Sequence, residues 1–166
     1  MNQVAVDAVI RAHRRGKPFR VIHLTGRADE YAVRKAYEEA GVRAEADAFR
    51  LDMGTVYRTA TLAICRAGAS TCAELEAFGV PALLVPYPFA ARNHQWANSL
   101  ALERRGSAHT IDESDLESEW LADYLIGSIQ APARLRRMRR AALQHASIAG
   151  AAALADLVEK VAHHER

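Results

Sequence analysis

The sequence predicts an α/β domain in which a parallel sheet is flanked by helices on both faces. Three observations carry this. Short runs rich in Val, Ile and Leu, such as FRVIHL at 19–24, TLAIC at 61–65 and ALLV at 82–85, alternate with longer segments of helical periodicity. The punctuation is regular: Gly41 and Gly79 stand where helices should end, and Pro81 follows just beyond the second. A length of 166 residues, half of them apolar and a quarter charged, fits one domain with a buried core.

Residues 2–15 form the first predicted helix, with Val4, Val6, Ala8, Val9 and Ile10 as its apolar positions. A strand at 19–24 follows and is closed by Thr25-Gly26. A charged amphipathic helix over 29–40 ends at Gly41. Residues 42–49 alternate weakly and read as an edge-side strand, 53–60 as a short helix and 61–65 as a buried strand. The next helix spans 70–78, the next strand 82–85, another helix 93–105 and a short strand 108–111. From there the pattern is helical alone, over 116–129, 132–145 and 148–162. No internal repeat or low-complexity linker appears. The chain opens on a helix, without the strand and glycine-rich turn that normally precede it, and so reads as a shortened piece of a longer architecture.

Composition narrows the function classes. Lys plus Arg is 22 and Asp plus Glu is 20, so the net charge of +2 does not point to a nucleic-acid partner. The acidic stretch from Asp112 to Glu119 and the arginine run from Arg134 to Arg140 compensate each other. Cys65 and Cys72 lack CxxC spacing and read as free thiols in a reducing compartment. No apolar run approaches membrane-span length, and the N-terminus lacks the order of a signal peptide, so a cytoplasmic location is expected.

Parallel βα units place ligands at the carboxyl ends of their strands. Two polar strand-to-helix junctions fall there. In Arg66-Ala67-Gly68-Ala69-Ser70-Thr71, Gly68 permits close backbone approach, and the unpaired N–H groups that follow make a phosphate or diphosphate site. Glu74 lies on the side of Ser70 (i, i+4), where its carboxylate can accept hydrogen bonds from a ribose diol. An alternative carries equal weight: Thr71 is the N-cap and Glu74 closes a Thr-x-x-Glu capping box. Arg66 either neutralises a phosphate or pairs with a surface acid. At the second junction Pro86 and Pro88 stiffen the strand exit, and Asn93 suits an N-cap. His94, Gln95 and Asn98 then lie on a first helical turn, with amides suited to sugar hydroxyls, while a lone His at such a place is more often a surface or capping residue than a catalyst. Trp96 reads as packing. No metal-ligand spacing, P-loop or GxSxG motif occurs.

The stretch CRAGASTCAELEAFGVPALLVPYPFAARNHQWANSLALERRGSA resembles the donor-binding half of MurG-type glycosyltransferases, of the two-domain GT-B class. The likeness is collinear over nearly the whole chain and includes HLTGRADEYAVRKAYEEAGV, AFRLDM and VYRTATLAICRAGAS. It implies a Rossmann-like domain, the C-terminal half of a GT-B fold with a helical tail. It also implies a UDP-sugar donor, UDP-N-acetylglucosamine in this family, used to build the lipid-linked peptidoglycan precursor. By position, Glu74 matches the acid that binds the ribose hydroxyls, and Gly68, Ala69, Ser70 and Thr71 match the helix start that receives the diphosphate. Gln95, with His94 beside it, matches the pair that contacts the donor sugar, and Asn98 matches an asparagine one turn later. Phe49 and Arg50 fall in the family's F-I-D-D-M segment, whose backbone holds the uracil. Here Arg50 and Leu51 replace its Ile and Asp.

The resemblance further implies an inverting transfer that needs no metal or cofactor. Residues 1–166 correspond to a single nucleotide-sugar-binding domain without the family's first strand, its G-G-S-x-G-A loop or the N-terminal acceptor domain. That acceptor half carries the general base and the membrane-docking surface, so the isolated chain is expected to be inactive unless an acceptor domain or partner chain completes it. Two other readings stand beside this one: a non-catalytic nucleotide-sugar-binding or interaction module, and part of a GT-B-type epimerase or hydrolase.

Overall fold

The computed structural model describes residues 1–90 and 93–146, so the helix expected over 148–162 lies outside the described residues. Helices α1 (Asn2–Arg14), α2 (Glu30–Glu39), α3 (Met53–Thr59), α4 (Ala69–Phe78), α5 (His94–Arg104), α6 (Ser118–Gln130) and α7 (Pro132–His145) alternate with strands over most of this span. The strands are β1 (Val21–Leu24), β2 (Ala44–Asp47), β3 (Ala63–Cys65), β4 (Ala82–Leu84) and β5 (Ala108–Thr110). The expected order of elements is present, and every strand pair is parallel. The α/β, Rossmann-like architecture follows.

The strands fall into two groups, β1–β2 and β3–β4–β5. β4 is central to the second and fully buried, and its alternation serves both faces. Ala82 and Leu84 pack with Leu75 of α4 and Leu102 of α5, whereas Leu83 and Val85 pack with Ala8 of α1 and Leu121 of α6. A third apolar cluster joins Val6 and Val9 of α1 to Val33 and Tyr37 of α2 over Ala46 of β2. The α1 helix therefore presents one side to each half of the sheet.

Several boundaries differ from expectation. β1 starts at Val21 and β2 covers only 44–47, although Thr25 and Gly26 N–H still donate to the carbonyls of Asp47 and Ala48 just past the strands, at 2.9 and 3.0 Å. The helix expected from Leu116 starts at Ser118, after a 3-10 turn at Glu113–Asp115 that drops Leu116 into the core. β3, expected to be buried, is partly exposed along its whole length, because one of its edges has no neighbouring strand among the described residues. At the end of α4, Gly79 takes φ 65°, and Val80 N–H closes the turn on Leu75 O at 2.8 Å.

Candidate functional site

The two junctions singled out in the sequence both open at the carboxyl ends of neighbouring strands, β3 and β4. At the first, Gly68 is the N-cap of α4, with extended backbone (φ −64°, ψ 150°) and no side-chain cap bond. The first intrahelical donor there is Cys72 N–H, to Gly68 O at 2.9 Å. The N–H groups of Ala69, Ser70 and Thr71 therefore form an uncapped helix start beside exposed Ala69 and Ser70 side chains.

This geometry removes the capping-box alternative. Thr71 is the third helical residue rather than the N-cap, because Gly68, free of a Cβ, takes the extended cap conformation first. Glu74 instead sits one turn further along and is exposed. Its Oε2 accepts a hydrogen bond from the Tyr57 hydroxyl at 2.8 Å. Tyr57 rises from α3, stacks on Phe78 at 5.5 Å between ring centres and packs into the core beneath α4. Burial first, and then the Glu74 carboxylate, push the Tyr57 phenol above its ordinary range, so it remains a donor at neutral pH.

Arg66 ties the two junctions together. Its guanidinium donates to Glu113 Oε1 at 2.7 Å and to the carbonyls of Val85 and Pro86 at 3.3 Å, and it lies 5.3 Å from the Tyr87 ring centre. Pairing with an acid, one of the two roles left open, is thus made with Glu113. The same bond holds the Glu113 carboxyl below the usual carboxylate range. Asn98 supplies a second brace, donating through Nδ2 to Ala67 O at 3.0 Å, so its amide acts on the junction preceding α4. At the second junction Gln95 Oε1 accepts from Tyr87 N–H at 2.9 Å, fixing the side chain against the strand exit. His94 opens α5 and is exposed. Asn93 is the N-cap as expected, but in a left-handed conformation (φ 57°) with no side-chain cap bond.

The Phe49–Arg50 segment leaves the carboxyl end of β2 and borders a hollow of about 410 Å³ lined by Phe49, Arg50, Leu51, Asp52 and Thr55. Arg50 is not loose there. Its Nε donates to Asp47 and its Nη2 to Glu45, each at 2.6 Å, and Asp52 caps α3 by accepting from Thr55 N–H at 3.1 Å. Phe49 and Leu51 stay exposed. Through α3 this segment connects directly to Tyr57 and so to Glu74.

Sequence reasoning missed Tyr57 and Glu113. Nothing marks either in a single chain, since their partners lie 17 and 47 residues away. Among the described residues, no cluster of three His, Cys, Asp or Glu side chains is arranged to hold a metal ion, and no helix is long and apolar enough to cross a membrane. The thiols are quiet: burial pushes Cys65 up to about 12 and Cys72 up to about 11.

Fold and site together define a Rossmann-like α/β domain with its polar groups gathered at the carboxyl edge of the sheet. Comparison with known proteins identifies the family: residues 1–159 match the glycosyltransferase family 28 C-terminal domain, and the chain belongs to that family. A relative from Sorangium cellulosum (strain So ce56) is 43% identical over 162 residues, covering 96% of this chain and 40% of its own length. It is named UDP-N-acetylglucosamine–N-acetylmuramyl-(pentapeptide) pyrophosphoryl-undecaprenol N-acetylglucosamine transferase. A Geobacter metallireducens relative of the same name is 42% identical over 137 residues, covering 82% of this chain and 38% of its own. The crystal structure of Acinetobacter baumannii MurG superposes with a TM-score of 0.83 at 30% identity, over 95% of this chain and 48% of that one. The chain thus spans about 40% of the length of these curated relatives.

Proposed function

We propose that this chain is the donor-binding domain of an inverting, MurG-like glycosyltransferase, and that it holds a UDP-sugar, UDP-N-acetylglucosamine, across the carboxyl edge of its sheet. The observation that carries the reading is the pairing of an uncapped helix start at Gly68–Thr71 with a carboxylate, Glu74, one turn along the same helix and fixed by Tyr57. A diphosphate at the helix start meets backbone N–H groups and the positive end of the helix dipole. Glu74 then accepts from the ribose hydroxyls, and the backbone of Phe49 and Arg50 receives the base. Gln95 and His94 orient the sugar. Arg66 and Asn98 hold the two junctions in register.

As the sugar leaves for its acceptor, negative charge grows on the diphosphate, and the same N–H groups stabilise it. Inversion also needs a base beside the acceptor hydroxyl. We assign that base, acceptor recognition and membrane contact to an acceptor domain or partner chain, a reading supported by the share of its relatives' length that this chain spans. The 166 residues then act as one nucleotide-sugar-binding unit on the cytoplasmic side, transferring nothing alone. The complete enzyme would pass N-acetylglucosamine to an N-acetylmuramyl-(pentapeptide) pyrophosphoryl-undecaprenol, the transfer for which the relatives are named, and so build a lipid-linked peptidoglycan precursor.

Calorimetric titration with UDP and UDP-N-acetylglucosamine tests this. Glu74→Gln should weaken both by about tenfold or more, since a charged hydrogen bond is replaced by a neutral one. Equal affinities for wild type and Glu74→Gln, with both folded, would refute the assignment.

A further inference from the structure

The loop between β2 and α3 has its polarity inverted. Phe49 is 59% exposed and Leu51 94%, whereas the Arg50 side chain between them is only 27% exposed. Apolar burial therefore does little to hold this loop. Its ends are fixed by other means: Gly26 N–H donates to Ala48 O at 3.0 Å, and Asp52 caps α3. Between those two anchors, among the described residues, the hydrogen bonds that tie the loop to the sheet come from Arg50.

The strand is arranged to receive it. Ala44 and Ala46 of β2 pack into the apolar cluster of α1 and α2, so strand alternation puts Glu45 and Asp47 on the opposite face. Arg50 folds back over that face. Its Nε donates to Asp47 Oδ2 and its Nη2 to Glu45 Oε2, each at 2.6 Å, one bond to each carboxylate. Arg20, just ahead of β1, donates to the other oxygen of Glu45 at 2.8 Å. Four charges thus alternate in sign, Arg20–Glu45–Arg50–Asp47, from the start of β1 to the loop.

The Arg50 guanidinium faces two carboxylates that neutralise it, which makes it a poor phosphate ligand. What it fixes instead is the path of the main chain through Phe49 and Arg50, whose backbone is assigned above to the base. Backbone groups that read a base must be in place before it arrives, since ordering a loose loop on binding costs affinity. The bond from Arg50, and then that from Arg20, holds the Glu45 carboxyl down at about 2. The clamp therefore stays ionised near neutral pH, and salt rather than pH is what loosens it.

On the donor-site reading proposed above, we infer that Glu45 and Asp47 are positioning residues for the nucleobase. They act through Arg50, and they set affinity for the uridine part of the donor while leaving the diphosphate site at the start of α4 unaffected.

The test uses the full 166-residue chain, with amide chemical shifts as the readout and uridine, UDP and inorganic pyrophosphate as probes. Wild type is compared with the double variant Glu45→Gln/Asp47→Asn and with Arg50→Lys. The double variant should bind uridine and UDP more weakly by the same factor, about fivefold, and pyrophosphate as tightly as wild type. Arg50→Lys, which keeps the charge but not the planar fork, should lose less. Uridine is uncharged, so salt acts on its affinity chiefly through the protein. Raising salt from about 0.02 M to about 0.5 M should weaken uridine binding to wild type by about threefold and leave the double variant unchanged.

Equal uridine affinity in all three proteins would overturn the clamp and leave the base assignment standing. An equal loss for pyrophosphate would mean general loosening of the fold, and a loss for UDP alone would give Arg50 to the phosphates; either overturns the proposal. A wild type that binds UDP at the Ala69–Thr71 amides, yet shows no uridine shifts at Phe49 and Arg50, would put the base elsewhere and overturn it too. A folded wild type that binds none of the probes would overturn the donor-site reading and the clamp together.

Discussion

The Tyr57 hydroxyl donates a 2.8 Å hydrogen bond to Glu74 Oε2, joining α3 to the exposed face of α4. This bond aims the carboxylate on which the proposed nucleoside contact depends. Tyr57→Phe removes the bond and keeps the ring on Phe78. UDP affinity should fall by about three- to tenfold, the range for one lost hydrogen bond. The melting temperature should change little. Calorimetry beside a thermal melt checks both, and an unchanged affinity would separate Tyr57 from the site.

Asn98 offers a sharper discrimination. Its Nδ2 group reaches the carbonyl of Ala67, a fully buried residue, and not the open edge. Asn98→Ala should leave that carbonyl unpaired, at a cost of about 1–3 kcal/mol in unfolding free energy. Affinity for UDP and for UDP-N-acetylglucosamine should fall by the same factor. A loss confined to the sugar nucleotide would mean that Asn98 touches the sugar directly.

At the proposed base-binding loop, Arg50 and, behind it, Arg20 lower the Glu45 carboxyl from 4.5 to about 2. A carboxylate depressed in the folded state contributes stability above its unfolded value and loses it as pH falls through the folded one. The stability difference between wild type and Glu45→Gln should therefore hold above pH 4.5 and shrink toward zero near pH 2. The pair is exposed, so added salt should narrow the difference. Thermal melts at a series of pH values measure it.

Gly79 is constrained twice. Its φ of 65° is left-handed, and an added Cβ would come within 2.7 Å of Leu143 Cγ on α7. Gly79→Ala should destabilise the chain by about 1–2 kcal/mol from backbone strain, with the Leu143 clash on top. Adding Leu143→Ala should relieve the clash and leave the backbone part. Denaturant unfolding of the single and double variants separates the two.

Much of this was legible in the sequence because it is periodic or local. Gly41 and Gly79 mark real helix ends, and the runs at 61–65 and 82–85 contain real strands. The two junctions fall on one sheet edge because parallel βα units put them there. What escaped depends on distant partners. The Thr71-x-x-Glu74 pattern fits a capping box, and only the extended Gly68 shows that the helix starts earlier. Glu113 sat within an acidic stretch read only as balancing the arginine run, yet it takes up Arg66 across 47 residues. The apolar content of TLAIC suggested burial. Its partial exposure follows from the neighbour it lacks among the described residues, which composition cannot report.

The most direct test of the central claim is an amide chemical-shift map of the chain titrated with UDP. Saturable shifts should centre on the N–H groups of Ala69, Ser70 and Thr71, with a second set at Phe49 and Arg50 and none of comparable size on α7. Saturable binding that leaves the Ala69–Thr71 amides unmoved, or no shifts at these amides in the folded chain at millimolar UDP, would contradict it.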